Sequence, residues 1–117
     1  MANENATETY VVILPVEGKA FMNTFNKKDS YKQLSNAVKG YIELAPVPPI
    51  PASGDYQIDC FVNEEGLLKG MQCNRELTAY AGGTFLVGDA IFAGHDGEGE
   101  TVGLNRADAE RIMNMFN

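Results

Sequence analysis

The chain has 117 residues, 44% of them apolar and 21% charged, which is the size and composition of one folded domain and not of a disordered chain. Sixteen acids against nine bases leave a net charge of −7, so clustered lysine and arginine for non-specific nucleic-acid binding are lacking and no nucleic-acid partner is expected. No apolar run approaches the roughly 18 residues of a membrane span and no secretory signal precedes the first strand, so a cytoplasmic protein with no membrane contact is expected.

Residues 1–8 are polar and read as a flexible N-terminal tail, leaving 9–117 as a single domain. Thr9 to Val16 is a β-branched, continuously apolar run, which predicts a strand buried on both faces and ended by Pro15. Residues 19–28 stay ambiguous, with Phe21, Met22 and Phe25 at helical spacing in asparagine-rich surroundings. A helix is expected from Tyr31 to Lys39, capped by Asp29 or Ser30, with Tyr31, Leu34 and Val38 on one stripe and Gly40 at a left-handed terminus. Tyr41 to Leu44 reads as a strand. Pro46, Pro48, Pro49 and Pro51 make Ala45 to Asp55 a stiff exposed loop.

Tyr56, Ile58, Cys60 and Val62 alternate as in a half-buried strand. Asn63-Glu64-Glu65-Gly66 is turn chemistry, and Leu67-Leu68 is expected to start a return strand. Asn74 caps a short helix to about Tyr80, broken by Gly82-Gly83. Thr84 to Ala93 reads as a long strand with a bulge or bend at Gly88-Asp89. A polar loop spans 94–100. The last helix is capped by Asn105, with Asp108 in capping-box position, Leu104 able to staple onto Ala109, and a stripe of Ala109, Ile112, Met113 and Phe116. The order β-α-β-β-β-α-β-α predicts an α+β fold: a small, mainly antiparallel sheet with two or three helices packed on one face.

Charge is unevenly placed. Residues 19–39 carry five lysines against Asp29, a balance of +4, whereas 40–105 carry ten acids against Lys69 and Arg75, a balance of −8. A solvated surface explains this, and an acidic face for a basic partner is the sharper alternative. Opposite patches on one domain also permit a homo-oligomer. Cys60 falls in an apolar pattern and reads as a buried thiol; Cys73 reads as partly exposed. With His95 they do not make a zinc site, and neither thiol has an activating base in its neighbourhood.

His95-Asp96-Gly97-Glu98-Gly99-Glu100 offers carboxylates to a hard cation but lacks the ligand order of an EF-hand, so a solvated hairpin loop is preferred. Asp59, Glu64, Glu65 and Asp89 are the remaining acid/base candidates. Asp89, after a glycine in an apolar stretch, is the one expected to be partly buried and to bond backbone amides. The glycines form neither a phosphate loop nor a dinucleotide fingerprint, and no serine–histidine–acid arrangement is arguable. No catalytic residues, metal site or cofactor follow.

Several segments together carry a resemblance. Leu34 to Glu43 ends in Gly-Tyr-Ile-Glu, Phe61 to Ala79 holds Val-Asn-Glu-Glu-Gly-Leu-Leu-Lys-Gly and Asn74-Arg75, Leu86 to Gly94 begins Leu-Val-Gly-Asp, and Gly103-Leu104 opens the last helix. In that order they resemble a domain family of unknown function found in small proteins of bacteriophages, plasmids and large algal DNA viruses. Departures are Lys39, where that pattern prefers a second glycine, and Leu77-Thr78, where it prefers Ala-Thr.

The resemblance implies a non-enzymatic viral or mobile-element accessory protein, in the host cytoplasm or the virion, acting through a protein partner. It transfers no catalytic residue. A binding surface is expected at Asn63, Glu64, Asn74 and Asp89. The alternatives are a small-ligand or enzyme pocket where Asp89, Asn63 and Asn74 converge, and an acidic antagonist of a DNA-binding host protein.

Overall fold

The computed structural model describes residues 8–117, so the expected tail lies outside the described residues except for Glu8. Six strands form one sheet: β1 (Tyr10–Leu14), β2 (Phe21–Thr24), β3 (Ile42–Leu44), β4 (Gln57–Asn63), β5 (Ala90–His95) and β6 (Thr101–Val102). Three α-helices accompany it: α1 (Ser30–Val38), α2 (Arg75–Tyr80) and α3 (Arg106–Phe116). The strands lie in the order β2-β1-β5-β4-β3, with β6 on β5, and every pairing is antiparallel. The fold is α+β with a mainly antiparallel sheet, as the sequence pattern predicts.

The helices, expected on one face, are divided between two. Neighbouring side chains of a strand point to opposite faces, and in β1 both Val11 and Val12 are fully buried. Val11, Ile91 and Ala93 pack with Leu34 and Val38 of α1. Val12, Leu14 and Phe92 pack on the other side with Leu77 of α2 and Ala109 and Ile112 of α3. Each such side chain taken out of water contributes about 1.5–3 kcal/mol, so the continuous apolar run of β1 is what lets helices settle on both sides.

Local departures from the pattern have local causes. The ambiguous stretch supplies the edge strand β2, paired with β1 from Tyr10↔Thr24 to Ile13↔Phe21. The return strand at Leu67-Leu68 does not form. Strand β4 already has β3 on one side and β5 on the other, so no edge is left for it. Residues 64–70 instead run through successive turns closed by Gly66 N–H to Asn63 O (3.1 Å) and Met71 N–H to Gly66 O (3.0 Å). Gly66 is needed for close approach, since a Cβ there would stand 2.7 Å from Val87 Cγ2.

Within 84–89 only Val87 forms a bridge, to Cys73, and the regular strand starts at Ala90. Gly94 and His95 extend β5 and pair with β6, so the expected loop shrinks to a hairpin tip. The left-handed residue after α1 is Lys39 (φ 65°), not Gly40. Gly40 donates to Ser35 O (3.0 Å). A Cβ on Gly40 would meet Asn63 Nδ2 at 2.6 Å, so the glycine leaves room for that amide. Asp29 stands at the N-cap of α1 without a side-chain bond, behind a 3-10 turn capped by Asn26. Of the expected stripe, Leu34 and Val38 are buried and Tyr31 is exposed.

Candidate functional site

Asn63 stands at the end of β4 and is 4% exposed. Its amide donates to Val38 O (3.0 Å) and Lys39 O (3.1 Å), capping α1, and its oxygen accepts from Glu65 N–H (2.7 Å). Asn74, 1% exposed, caps α2 by accepting from Leu77 N–H (3.1 Å). Its amide donates to Leu14 O (3.1 Å) and Gly88 O (3.0 Å), stitching β1 to the turn before β5. Asp89 accepts from Val16 N–H (2.9 Å) and pairs with the ammonium of Lys39 (2.8 Å). Glu64 is exposed, and its N–H donates to Tyr41 O (2.8 Å).

These contacts bring three of the four expected residues into one neighbourhood. Asn63 reaches the Lys39 carbonyl, Lys39 reaches Asp89, and the carbonyl of the preceding Gly88 holds Asn74. Only Asp89 opens onto a pocket, of about 150 Å³, which it shares with Val16, Val38, Lys39, Met71, Gln72 and Gly88. Both asparagines have committed their donors and acceptors to the backbone.

The sequence pattern missed a larger polar network, centred on Asp108 in the first turn of α3. Its carboxylate is 1% exposed. It accepts from Ser53 N–H (3.0 Å), Ser53 Oγ (2.8 Å), the Tyr56 hydroxyl (2.5 Å) and Arg111 (2.8 Å). Asn105 caps the helix as expected, accepting from Asp108 N–H (2.8 Å). The reciprocal half of the capping box is absent, because Asn105 N–H donates to Tyr56 Oη (2.9 Å).

Burial raises the Asp108 carboxyl, but hydrogen bonds from Tyr56, Arg111 and Ser53 outweigh it and hold the group down at about 2. Burial and donation to that carboxylate push the Tyr56 hydroxyl up to about 12. With Arg111 also donating to Pro51 O, the network pins the proline loop to α3. Its geometry is that of a clamp, with every carboxylate lone pair directed at the protein's own donors.

A second unforeseen pair joins His95 Nδ1 to Asp59 (2.7 Å) across β4 and β5. Cross-strand register explains it: Asp59 pairs with Ala93 and Gln57 with His95, so the two side chains are diagonal neighbours on one face. Residues 95–100 form the preferred hairpin loop, in which Asp96 accepts from Glu98 N–H and Glu100 N–H (2.9 Å each) to shape the tip. Among the described residues no three His, Cys, Asp or Glu side chains gather as a metal site would need. Cys60 is buried, which pushes its thiol up and out of the nucleophilic range, and Cys73 is partly exposed; both are free.

The remaining surface is marked by apolar exposure. Tyr41 is 63% exposed, Leu44 61%, Leu67 68% and Leu68 88%. Tyr41 lies beside the 64–70 turn that carries Leu67 and Leu68, since Glu64 N–H reaches Tyr41 O and Lys69 Nζ would lie 3.6 Å from a Cβ on Gly40, and Leu44 stands at the other end of β3, on its opposite face. Glu43 and Glu64 border this patch and have no ion-pair partner among the described residues. The largest groove, about 480 Å³, lies elsewhere, between β2 and α1, over Asn23, Lys32, Gln33 and Asn36. No described helix is long and apolar enough to cross a membrane.

The family model described as a domain of unknown function (DUF3846) matches residues 9–117, and the chain belongs to that family. No curated protein and no solved structure matches it.

Proposed function

We propose that this member of the DUF3846 family is a non-enzymatic accessory protein acting through protein–protein contact, with the patch of Tyr41, Leu44, Leu67 and Leu68 as its contact surface. One observation carries the reading: four large apolar side chains, each more than 60% exposed, stand along β3 and in the turn bonded to its start. A lone exposed leucine is ordinary, but a group of large apolar side chains rimmed by polar residues is what an interaction site presents. Glu43 and Glu64 on the rim call for a basic facing surface on the partner.

The setting in a virus or mobile element is supported by the resemblance borne by residues 34–105. A ligand pocket at Asp89 has less support, because Asn63 and Asn74 have no donor or acceptor left to turn toward it.

A photo-crosslinking residue at position 68, compared with one at position 110 on the outer face of α3, tests the reading in extract of the native source. The expected result is a discrete adduct from position 68 and none from 110, lost when Tyr41→Ser/Leu67→Ser is added to the position-68 variant. Equal labelling from both positions, or none from either, refutes it.

A further inference from the structure

The two edges of the sheet are treated differently. In an antiparallel pair, alternate residues turn their N–H and C=O inward. On β2 the bond from Phe25 N–H to Thr9 O (2.8 Å) sets the phase, so Ala20, Met22 and Thr24 face outward. The Asn117 carboxamide takes both groups of Ala20, accepting its N–H (2.8 Å) and donating to its oxygen (3.1 Å). The Gln33 carboxamide donates to Thr24 O (2.9 Å) and accepts from Asn26 N–H (2.7 Å). Two side-chain amides thus cover the two ends of that edge, on either side of Met22, and blunt it.

On β3 the bonds from Ala45 N–H to Cys60 O and from Glu64 N–H to Tyr41 O (2.8 Å each) set the opposite phase. Ile42 and Leu44 face outward there, and among the described residues none of their four backbone groups has a partner. Pro46, lacking an N–H, ends the template. Glu43 sits between the two open residues; Tyr41, two positions before it, shares its face and Leu44 stands on the opposite face, both exposed.

We infer that β3 is a docking edge to which an extended segment of a partner protein, with a basic residue between apolar ones, adds as a further strand. The inference rests on the protein-contact reading and gives that contact its geometry. Main-chain bonds from Ile42 and Leu44 supply register, and their side chains supply apolar contact on the face opposite Glu43. Charge selects the occupant: a lysine or arginine opposite Glu43 meets an unpaired carboxylate. A second copy of this chain, paired about Glu43, would set two glutamates directly opposite, which destabilises.

The probe is a hexapeptide of alternating valine and lysine, titrated into the full isotope-labelled chain and followed by amide NMR shifts. Shifts centred on Ile42 and Leu44 are expected, and they should vanish when alternate peptide amides are N-methylated. Shifts that spread over the acidic surface, survive N-methylation, or never appear overturn the inference.

Leu44→Pro removes one outward N–H at an edge position that tolerates proline, and should weaken the peptide about tenfold. Glu43→Lys, with the backbone untouched, should do the same by reversing the charge. Affinity unchanged in both variants refutes strand addition. A position-68 cross-link that survives Leu44→Pro but not Tyr41→Ser/Leu67→Ser overturns strand addition and leaves the contact surface standing. If it survives both, the two readings fall together.

Discussion

Replacing Asp108 with asparagine keeps the shape of the side chain and removes half of what it does. The carboxylate receives Ser53 N–H, Ser53 Oγ, Tyr56 and Arg111; Ser53 and Arg111 are exposed enough to turn to water instead, whereas Tyr56 is half-buried. An amide offers one acceptor oxygen and points an NH2 group at the other donors, so about two of these bonds fail. Bonds to a buried charge contribute about 1.5–3 kcal/mol each, and a donor left dry adds its own penalty. Asp108→Asn should therefore destabilise the domain by about 3–5 kcal/mol, a large part of the roughly 5–15 kcal/mol that holds a domain folded.

Acid supplies a second readout of the same network. The carboxyl sits at about 2 in the folded chain against an ordinary 3.8. The unfolded chain takes up that proton first, so the stabilisation is complete above the ordinary value and is lost as pH falls through the folded one. The shift is equivalent to about 2 kcal/mol. Urea unfolding followed by far-UV circular dichroism at pH 7, 4 and 2.5 measures both effects, the last two pH values spanning most of this transition. The native chain should lose about 2 kcal/mol on acidification beyond what Asp108→Asn loses. A variant within about 1 kcal/mol of the native chain at pH 7, or one with the same acid slope, would show that Asp108 is not the clamp described.

Four further substitutions, at three positions, probe separate parts of the structure. Asn74→Ala should cost about 3 kcal/mol, for a lost helix cap and two buried carbonyls without a donor. Asn74→Asp should cost more, because a carboxylate would face the Leu14 and Gly88 oxygens, and chemical denaturation ranks the two. Lys39→Gly relieves a left-handed backbone worth about 1 kcal/mol while giving up a solvent-exposed ion pair worth less, so the urea midpoint should rise slightly; a fall would mean the Asp89 pair outweighs the strain. Gly103→Ala would drive a methyl group against the Thr9 side chain and to 2.7 Å from Phe25 Cβ, where the Tyr10–Leu104 bridge ties β1 to the start of α3. A loss of about 2 kcal/mol or more in thermal melts is expected, and a neutral result would show that β1 yields there.

Elements whose signal is local were legible. The apolar run of β1, the caps at Asn74 and Asn105, the glycine break after α2 and the buried Cys60 follow from residue type and spacing alone. The failures share one cause, which is that strand pairing is a non-local property. Nothing near Leu67-Leu68 reveals that β4 has both neighbours already, nor does anything near Phe21 reveal that β1 has an edge to offer. The candidate site divided in the same way. Asn63, Asn74 and Asp89 were recognisable as turn and cap chemistry, and their partners are backbone groups as that chemistry implies. Asp108 was recognisable as a first-turn acid, but apart from Arg111 its partners lie 52 to 55 residues away, and no spacing rule reaches Ser53 or Tyr56.

Composition and periodicity by themselves determined the α+β class, the content of the core and the chemistry at each turn, because these depend on what a short segment does with its own side chains and water. Tertiary structure alone decided that helices occupy both faces, that Asp108 clamps the proline loop, and that carboxamides cover the ends of β2 while β3 is left open. Those outcomes depend on which distant segments meet, and a chain's meeting partners are set by the whole competition for sheet edges and buried surface.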